Sequence, residues 1–244
     1  MSNKFISKYQ CAVFGNFDEI SATPEIVKIM VESFMVKQLL PTQYQEQSIA
    51  VSKDQIKHET KARISLKSFD QKFEIRFLPD RCDFLYTDFI DENSFTVEMF
   101  VSKVKEYLSI VSEKFTKLYN RIGLVVESYY DNISLADTIK NFNTPIESLS
   151  ESNYVEWSNR IVIRKILATI DEPLNHSVEN NYMEGEITIR QKSKNFKGLR
   201  NIIDINTLIQ DSSNRFDYQK VCIYLDEVIP IYKKLQSENS QIIV

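Results

Sequence analysis

The chain has 244 residues, 43% of them hydrophobic, and sets 30 lysines and arginines against 34 aspartates and glutamates for a formal net charge of -4. That length and apolar content support one large α+β domain or two small ones and exclude a disordered chain. The near balance of charge removes any overall bias towards nucleic acid, so a basic surface would have to be local.

Cys11, Cys82 and Cys222 are far apart and sit among apolar neighbours. They read as buried thiols of a reducing compartment, and no zinc motif can be built from them. Only His58 and His176 are available as imidazoles, which leaves almost no candidates for a metal site or a proton-shuttling pair. The four glycines stand alone, so no loop offers the close backbone approach that cradling a phosphate requires. The N-terminal stretch MSNKFISKYQ lacks the apolar core of a signal peptide, and no segment approaches the ~18 apolar residues of a membrane span. A cytoplasmic protein with no membrane partner is expected.

In chain order, YQCAVFGNF (Tyr9 to Phe17) reads as a strand. Thr23-Pro24-Glu25 then supplies an N-cap, a first-turn proline and a first-turn acid. The helix that follows repeats Ile26, Val27, Met30, Phe34 and Met35 at three- and four-residue steps, with Pro41 as its stop. ARISLKSF sets Ile64 and Leu66 against Arg63 and Lys67. KFEIRF likewise sets Phe73, Ile75 and Phe77 against Lys72, Glu74 and Arg76, and both alternations predict strands with one wet face. PDR (Pro79 to Arg81) is a turn and CDFLYTDF the returning strand of a meander. From Phe95 to Leu118, Phe95, Met99, Val104, Leu108, Val111, Phe115 and Leu118 keep helical spacing over a length no strand reaches.

LYNRIGLVVESYY (Leu118 to Tyr130) leaves that helix as a strand with Ile122, Leu124 and Val126 on one face. Arg121, Glu127 and Tyr129 fall on the other face. The strand reads as structural, with Arg121 a member of a basic face and Glu127 and Tyr129 without an assigned role. From Tyr130 to Trp157 the composition turns to Asn, Ser, Thr and Asp, with one short helix at Leu135 to Phe142. Tyr129, Tyr130, Tyr154 and Trp157 bracket this connector and read as a hydrophobic seal, with the connector as the preferred place for a cleft. SNRIVIRKILATI, EGEITIRQK and GLRNIIDIN fit three strands. DEPLNHSVENN reads as a proline-bearing turn and KSKNFKGLR as a loop. The last helix starts near Phe216 and turns Val221, Cys222, Leu225, Val228 and Ile229 inward. Pro230 cannot donate to the carbonyl of Asp226, so a kink or restart is expected there. The tail SENSQIIV is expected to fray or to dock on a partner.

The expected fold is α+β, antiparallel meander sheets packed with a few long helices in two similar-sized sheet-plus-helix halves. The boundaries are 1–132 for the first half, 133–156 for the connector and 157–244 for the second half, within one continuous unit.

This order of elements resembles a family of uncharacterised bacterial proteins of sporadic distribution, known by a family number. The likeness rests on LYNRIGLVVESYYDN (Leu118 to Asn132), NIIDIN (Asn201 to Asn206) and FDYQKVCIYLDEVIPIYKKL (Phe216 to Leu235). It implies an α+β fold, no recognised enzymatic activity, and a setting among mobile defence or toxin-antitoxin genes. It transfers no functional residues.

The candidate site is a basic sheet face. Lys61 to Arg76 holds five basic and two acidic residues, and Glu186 to Arg200 five basic and one acidic. Arg63, Lys72, Arg76, Arg121, Arg160, Arg164, Arg190 and Lys192 fall on wet strand faces. Lys194 and Lys197 flank Phe196, on which a base could stack. The ordinary alternative is that such cations decorate exposed strands and discourage edge pairing. Asp80, Asp83, Asp88, Asp91 and Glu92 could hold a divalent ion, but no lysine follows Pro79-Asp80 where a nuclease would need one, so loop solvation is the expected role. No catalytic, metal or cofactor residues are assigned. The expected function is a non-catalytic recognition protein with a protein partner in a bacterial multi-protein assembly. Nucleic-acid binding through the basic face is the alternative and an enzyme with an unrecognised site the second alternative, and homo-oligomerisation is left open.

Overall fold

A computed structural model describes residues 4–52, 55–91, 94–115, 117–142, 156–209 and 213–243, the side chains of 48–52 and 55–59 excepted. The readings that involve Glu92, Tyr154, the His58 side chain and the 143–155 portion of the connector lie outside the described residues.

Nine strands form one antiparallel sheet: β1 (Lys4–Phe14), β2 (Leu39–Ser52), β3 (Gln55–Ser68), β4 (Phe73–Leu78), β5 (Arg81–Ile90), β6 (Arg121–Asp131), β7 (Ser158–Leu167), β8 (Glu172–Ile189) and β9 (Lys192–Thr207). Their spatial order is β2-β3-β4-β5-β1-β6-β9-β8-β7. The meander β2 to β5 lies on one side of the central pair β1 and β6, and β7 to β9 on the other. The central pair runs from Phe14 opposite Arg121 to Lys4 opposite Tyr130. The α+β class expected from the sequence therefore holds, while the two strand blocks are parts of a single sheet. Among the described residues four helices accompany it: α1 (Pro24–Phe34), α2 (Val97–Phe115), α3 (Leu135–Asn141) and α4 (Tyr218–Ile243). Among the described residues no helix is long and apolar enough to cross a membrane.

The main core lies between the helices and one face of the sheet. Tyr9, Cys11 and Val13 of β1, Ile122, Leu124 and Val126 of β6, and Phe73, Ile75 and Phe77 of β4 turn towards it. Strand parity alone places them there, because alternate side chains of a strand share a face. Thr23 caps α1 by accepting from the Ile26 amide at 3.4 Å, and Met30 and Phe34 are its buried positions. The chain leaves α1 through one 3-10 turn, Met35–Lys37, and a left-handed Gln38 at φ 60°. Pro41 does not end the helix as expected. It lies within β2, an edge strand, where a missing backbone donor is tolerated.

In α2 the buried stripe is Val97, Phe100, Val101, Val104, Tyr107, Leu108 and Val111. Met99 and Leu118, read as part of that stripe, are exposed. α4 runs unbroken through Pro230, because Val228 and Tyr232 on either side are both buried and hold the helix against the core. Its tail neither frays nor stands free: Ile243 is buried with Tyr130 and Leu199.

Two segments read as turn and loop are strand. DEPLNHSVENN belongs to β8 and KSKNFKGLR to β9, and the two strands pair from Leu174 opposite Thr207 to Ile189 opposite Lys192. In the first the signal was hidden because the amide of Asn180 replaces an aliphatic residue at a core-facing position, and in the second because lysines and other polar residues dominate the stretch. Asn180 and Asn239 exchange bonds at 3.0 and 3.1 Å, and Asn201 donates to Asn180 at 2.9 Å. A buried amide that keeps its partners is compatible with a core, yet it breaks the hydrophobic alternation from which a strand is read.

Beyond Gly198 the β8–β9 hairpin outruns its neighbour β6 and continues as an arm. At Gly198 any Cβ would stand 2.0 Å from the Tyr130 carbonyl oxygen, so only glycine lets the two backbones approach as they do. The arm leans over the face of the sheet opposite the helices. Phe196 lies in a cluster with Phe5 of β1 and Tyr129 of β6, against which Phe89, Ile187 and Ile189 pack.

Candidate functional site

Among the described residues no helix covers the second face of the sheet, and polar side chains line it in ion pairs. At its centre stands Glu127 of β6, directly opposite Lys8 of β1. Arg200 grips both carboxylate oxygens at 3.0 and 3.1 Å, the Tyr129 hydroxyl donates to one at 2.8 Å, and the Lys8 ammonium lies 3.6 Å away. Burial pushes the Glu127 carboxyl up, but the bonds from Arg200 and Tyr129 and the charges of Arg200 and Lys8 outweigh it and hold it below the ordinary glutamate range. Tyr129 is pushed well up by burial and by that carboxylate, so it stays a neutral donor. The same ring stacks on Phe5 at 5.2 Å and meets the edge of Phe196 at 5.1 Å. Glu127 and Tyr129 thus have a role: they join the ion-pair lattice to the aromatic cluster that seats the arm.

The arm reaches across β6 and β1 to β5 and the β3–β4 turn. Lys194 pairs with Asp131 at 2.9 Å and lies over the Phe5 ring. Lys192 approaches Asp88 of β5 at 3.7 Å, and Arg190 at the tip donates to the Asp70 carbonyl. The tip is a two-residue turn, and Arg190 holds a left-handed φ of 60° that a side chain of its size seldom adopts.

Between the tip and the meander opens a cleft of about 760 Å³ bounded by residues 67–74, 87–88 and 190–192. Local chemistry sets its lower wall. Asp70 accepts from the Ser68 hydroxyl at 2.6 Å and the Lys72 amide at 3.0 Å, folding the turn through a left-handed Gln71. Lys72 then bonds Asp88 at 2.7 Å, so Asp88 sits between Lys72 and Lys192. Burial alone would raise the Asp88 carboxyl, but the bond from Lys72 and the amide of Phe89 bring it below the ordinary range. Four cations (Lys67, Lys72, Arg190, Lys192) and three carboxylates (Asp70, Glu74, Asp88) line the cleft, one positive charge in excess. Phe69, 64% exposed, stands at its edge.

Of the residues singled out from the sequence, Lys72, Arg190 and Lys192 are brought together here from distant parts of the chain. Arg76 pairs with Glu74 at 3.0 Å beside them. Lys197 pairs with Glu184 at 2.9 Å on the arm. Arg63 is only 2% exposed and is held by Glu46 of β2 at 2.6 Å and by Asp18 in the turn after β1 at 2.8 Å, so its ion pairs are structural. Phe196, 4% exposed, packs inside the arm's cluster and offers no face for a base. Arg121 lies over the Phe14 ring at 4.8 Å, Arg160 faces Glu179 at 3.6 Å, and Arg164 bonds the Asn175 amide oxygen at 3.2 Å. These three occupy the same sheet face, away from the cleft.

The carboxylates read as a candidate ion site do not converge. Asp83 pairs with Arg81 at 3.1 Å while Asp88 pairs with lysines. Among the described residues no group of three or more His, Cys, Asp or Glu is placed to hold a metal ion. Burial pushes the Cys11 and Cys82 thiols up, which makes them inert packing groups. Sequence reasoning missed Lys8, Arg200, Asp88 and Asp70 as members of this face. The parity that set Glu127 and Tyr129 opposite Ile122, Leu124 and Val126 was the available signal. No family model, curated protein or solved structure matches the chain.

Proposed function

We propose that this chain is a non-catalytic recognition protein that docks a polar, mixed-charge segment of a protein partner in the cleft beneath the β8–β9 arm. One observation carries the reading: segments 67–74, 87–88 and 190–192, remote in sequence, build a charged cleft with an exposed aromatic edge on the helix-free face. Its cations are partnered by carboxylates and carbonyls, an arrangement that suits exchange of ion pairs with a protein surface better than a run of phosphates. The resemblance of residues 118–132, 201–206 and 216–235 to the uncharacterised bacterial family supports a place in a cytoplasmic multi-protein assembly of defence or toxin-antitoxin type. In this reading 1–132 and 157–244 are two sheet-plus-helix halves joined by 133–156.

The test is co-purification from the source cells with Lys72→Glu and Lys192→Glu introduced together. The partner should be lost from this variant and retained by Lys28→Glu on α1, and isolation of the unaltered chain with no partner would count against the reading. Nucleic-acid binding is the second reading, favoured by Arg121 and Arg164, which have no ion pair among the described residues, together with Arg160, which faces Glu179 at 3.6 Å. Fluorescence anisotropy with single-stranded RNA decides it, because phosphate-driven binding weakens steeply as salt rises.

A further inference from the structure

On the helix side of the sheet, at its far edge, lies a second recessed surface unconnected with the cleft. Among the described residues β7 is the last strand of the sheet, and one row of its backbone donors and acceptors has no strand partner there. Natural edges are blunted by proline, bulges, short length or charge, and β7 has only the last of these, as Arg160, Arg164 and Lys165. It is also apolar and open, with Ile161 57% and Ile166 69% exposed. Its charges are all of one sign: Arg160, Arg164 and Lys165, with no acid between Ser158 and Leu167.

Beside this edge, a pocket of about 250 Å³ separates β7 and β8 from the last turns of α4. Ile163, Leu174, Ile231 and Leu235 give it apolar walls, and Lys165 stands at its margin. His176 lines it too. That imidazole is only 5% exposed, and its Nε2 has no hydrogen-bond partner among the described residues. An orphaned buried polar atom beside an apolar recess marks a place where a contact is missing. Burial and then the neighbouring Lys165 keep the ring neutral around pH 7.

We propose that the β7 edge and this pocket form a docking site for an extended acidic segment of a partner protein, which adds as a further strand and seats an apolar side chain between β7 and α4. Strand addition supplies affinity through the backbone, and a pocket for alternate side chains supplies selectivity. Charge selects the occupant. Arg164 bonds the Asn175 amide oxygen at 3.2 Å and has no ion pair among the described residues, whereas Arg160 faces Glu179 at 3.6 Å. A second copy of β7 is a poor occupant, because antiparallel self-pairing about the strand's centre sets Arg160 opposite Arg164 or Lys165. An acidic strand that turns its apolar side chains to the pocket instead sets its alternate carboxylates beside Arg160 and Arg164, on the opposite face of β7.

The test uses the full chain and a fluorescein-labelled peptide, Glu-Val-Glu-Ile-Glu-Leu, with the lysine-for-glutamate peptide as control. Anisotropy should show saturable binding of the acidic peptide alone. Arg164→Glu, which reverses a charge on the carboxylate side, and Leu235→Trp, which fills the pocket, should each weaken it by roughly tenfold or more, while Lys28→Glu on α1 leaves it unchanged. Hydrogen exchange gives a second readout that needs no variant: the amides of 158–167 that do not bond β8 should slow only when the peptide is added. Equal binding of both peptides, indifference to Arg164→Glu, or outward-facing β7 amides already slow in the free monomer would overturn the proposal. A concentration-dependent dimer that protects 158–167 would overturn it in favour of a second copy.

Discussion

Replacing Phe196 by alanine should release the arm without unfolding the sheet. Phe196 is buried with Phe5 and Tyr129 in a small cluster separate from the main core. Losing a ring from a large core costs about 3–5 kcal/mol, but this cluster lies near the surface and can collapse, which points to the lower end, about 3 kcal/mol. The ion pairs of Lys192 and Lys194 are partly exposed and add about 0–1 kcal/mol each. The aromatic contact is therefore most of what seats the arm, and an undocked two-stranded hairpin is marginal alone. Amides of residues 186–197 should exchange faster by roughly a hundredfold, the equivalent of about 2.7 kcal/mol. Amides of β1 and β6 in the main sheet should change far less, because the global cost cannot exceed the free energy of seating the arm. Hydrogen exchange with mass spectrometry under native conditions reads both. Unchanged exchange in 186–197, or uniform acceleration across the chain, would refute the reasoning.

Two further perturbations address the charges. Glu127→Ala leaves Arg200 and the Tyr129 hydroxyl without their shared acceptor and should cost about 2–3 kcal/mol, a fall of roughly 5–10 °C in Tm for a chain of this size. Because the folded carboxyl of Glu127 titrates below its unfolded value, its contribution is complete above the ordinary glutamate pKa of about 4.3 and is lost as pH falls through the lower folded pKa. Urea midpoints measured from pH 7 down to 3 should converge for wild type and variant at the acid end, and a constant gap would contradict the assignment. His176→Leu removes an orphaned buried nitrogen and should be neutral or stabilising by about 1 kcal/mol. The folded imidazole titrates below its unfolded value, so wild-type stability falls as pH drops through about 6.5 and below, and the variant should lose that slope. A destabilised variant that keeps the slope would show that His176 has a partner.

The parts of the fold most legible in the sequence were those where apolar alternation was undiluted. β4 and the core side of β6 followed from Phe73, Ile75 and Phe77 and from Ile122, Leu124 and Val126, and α1 from its Thr23 cap. The long hairpin was half legible: EGEITI and GLRNIIDIN read as strand, whereas DEPLNHSVENN did not, because Asn180 occupies a core-facing position where an aliphatic residue would have signalled one. The cleft was half legible. Strand parity placed Lys72, Arg190 and Lys192 on wet faces, but only pairing between strands distant in sequence could show that Asp88 and Asp70 meet them. The same information removed Arg63 and Phe196 from the surface, since each is buried by a segment that local periodicity does not see. Glu127 and Tyr129 could be placed on a face and given no role, because their partner Arg200 lies on a strand joined to β6 only in the fold.

The role assigned to the cleft is tested most directly by hydrogen exchange on the chain as it co-purifies with its partner, compared with the chain freed from it. Slowed exchange at residues 67–74, 87–88 and 190–192 is the expected result. Protection confined elsewhere, or none at all, would contradict recognition beneath the arm.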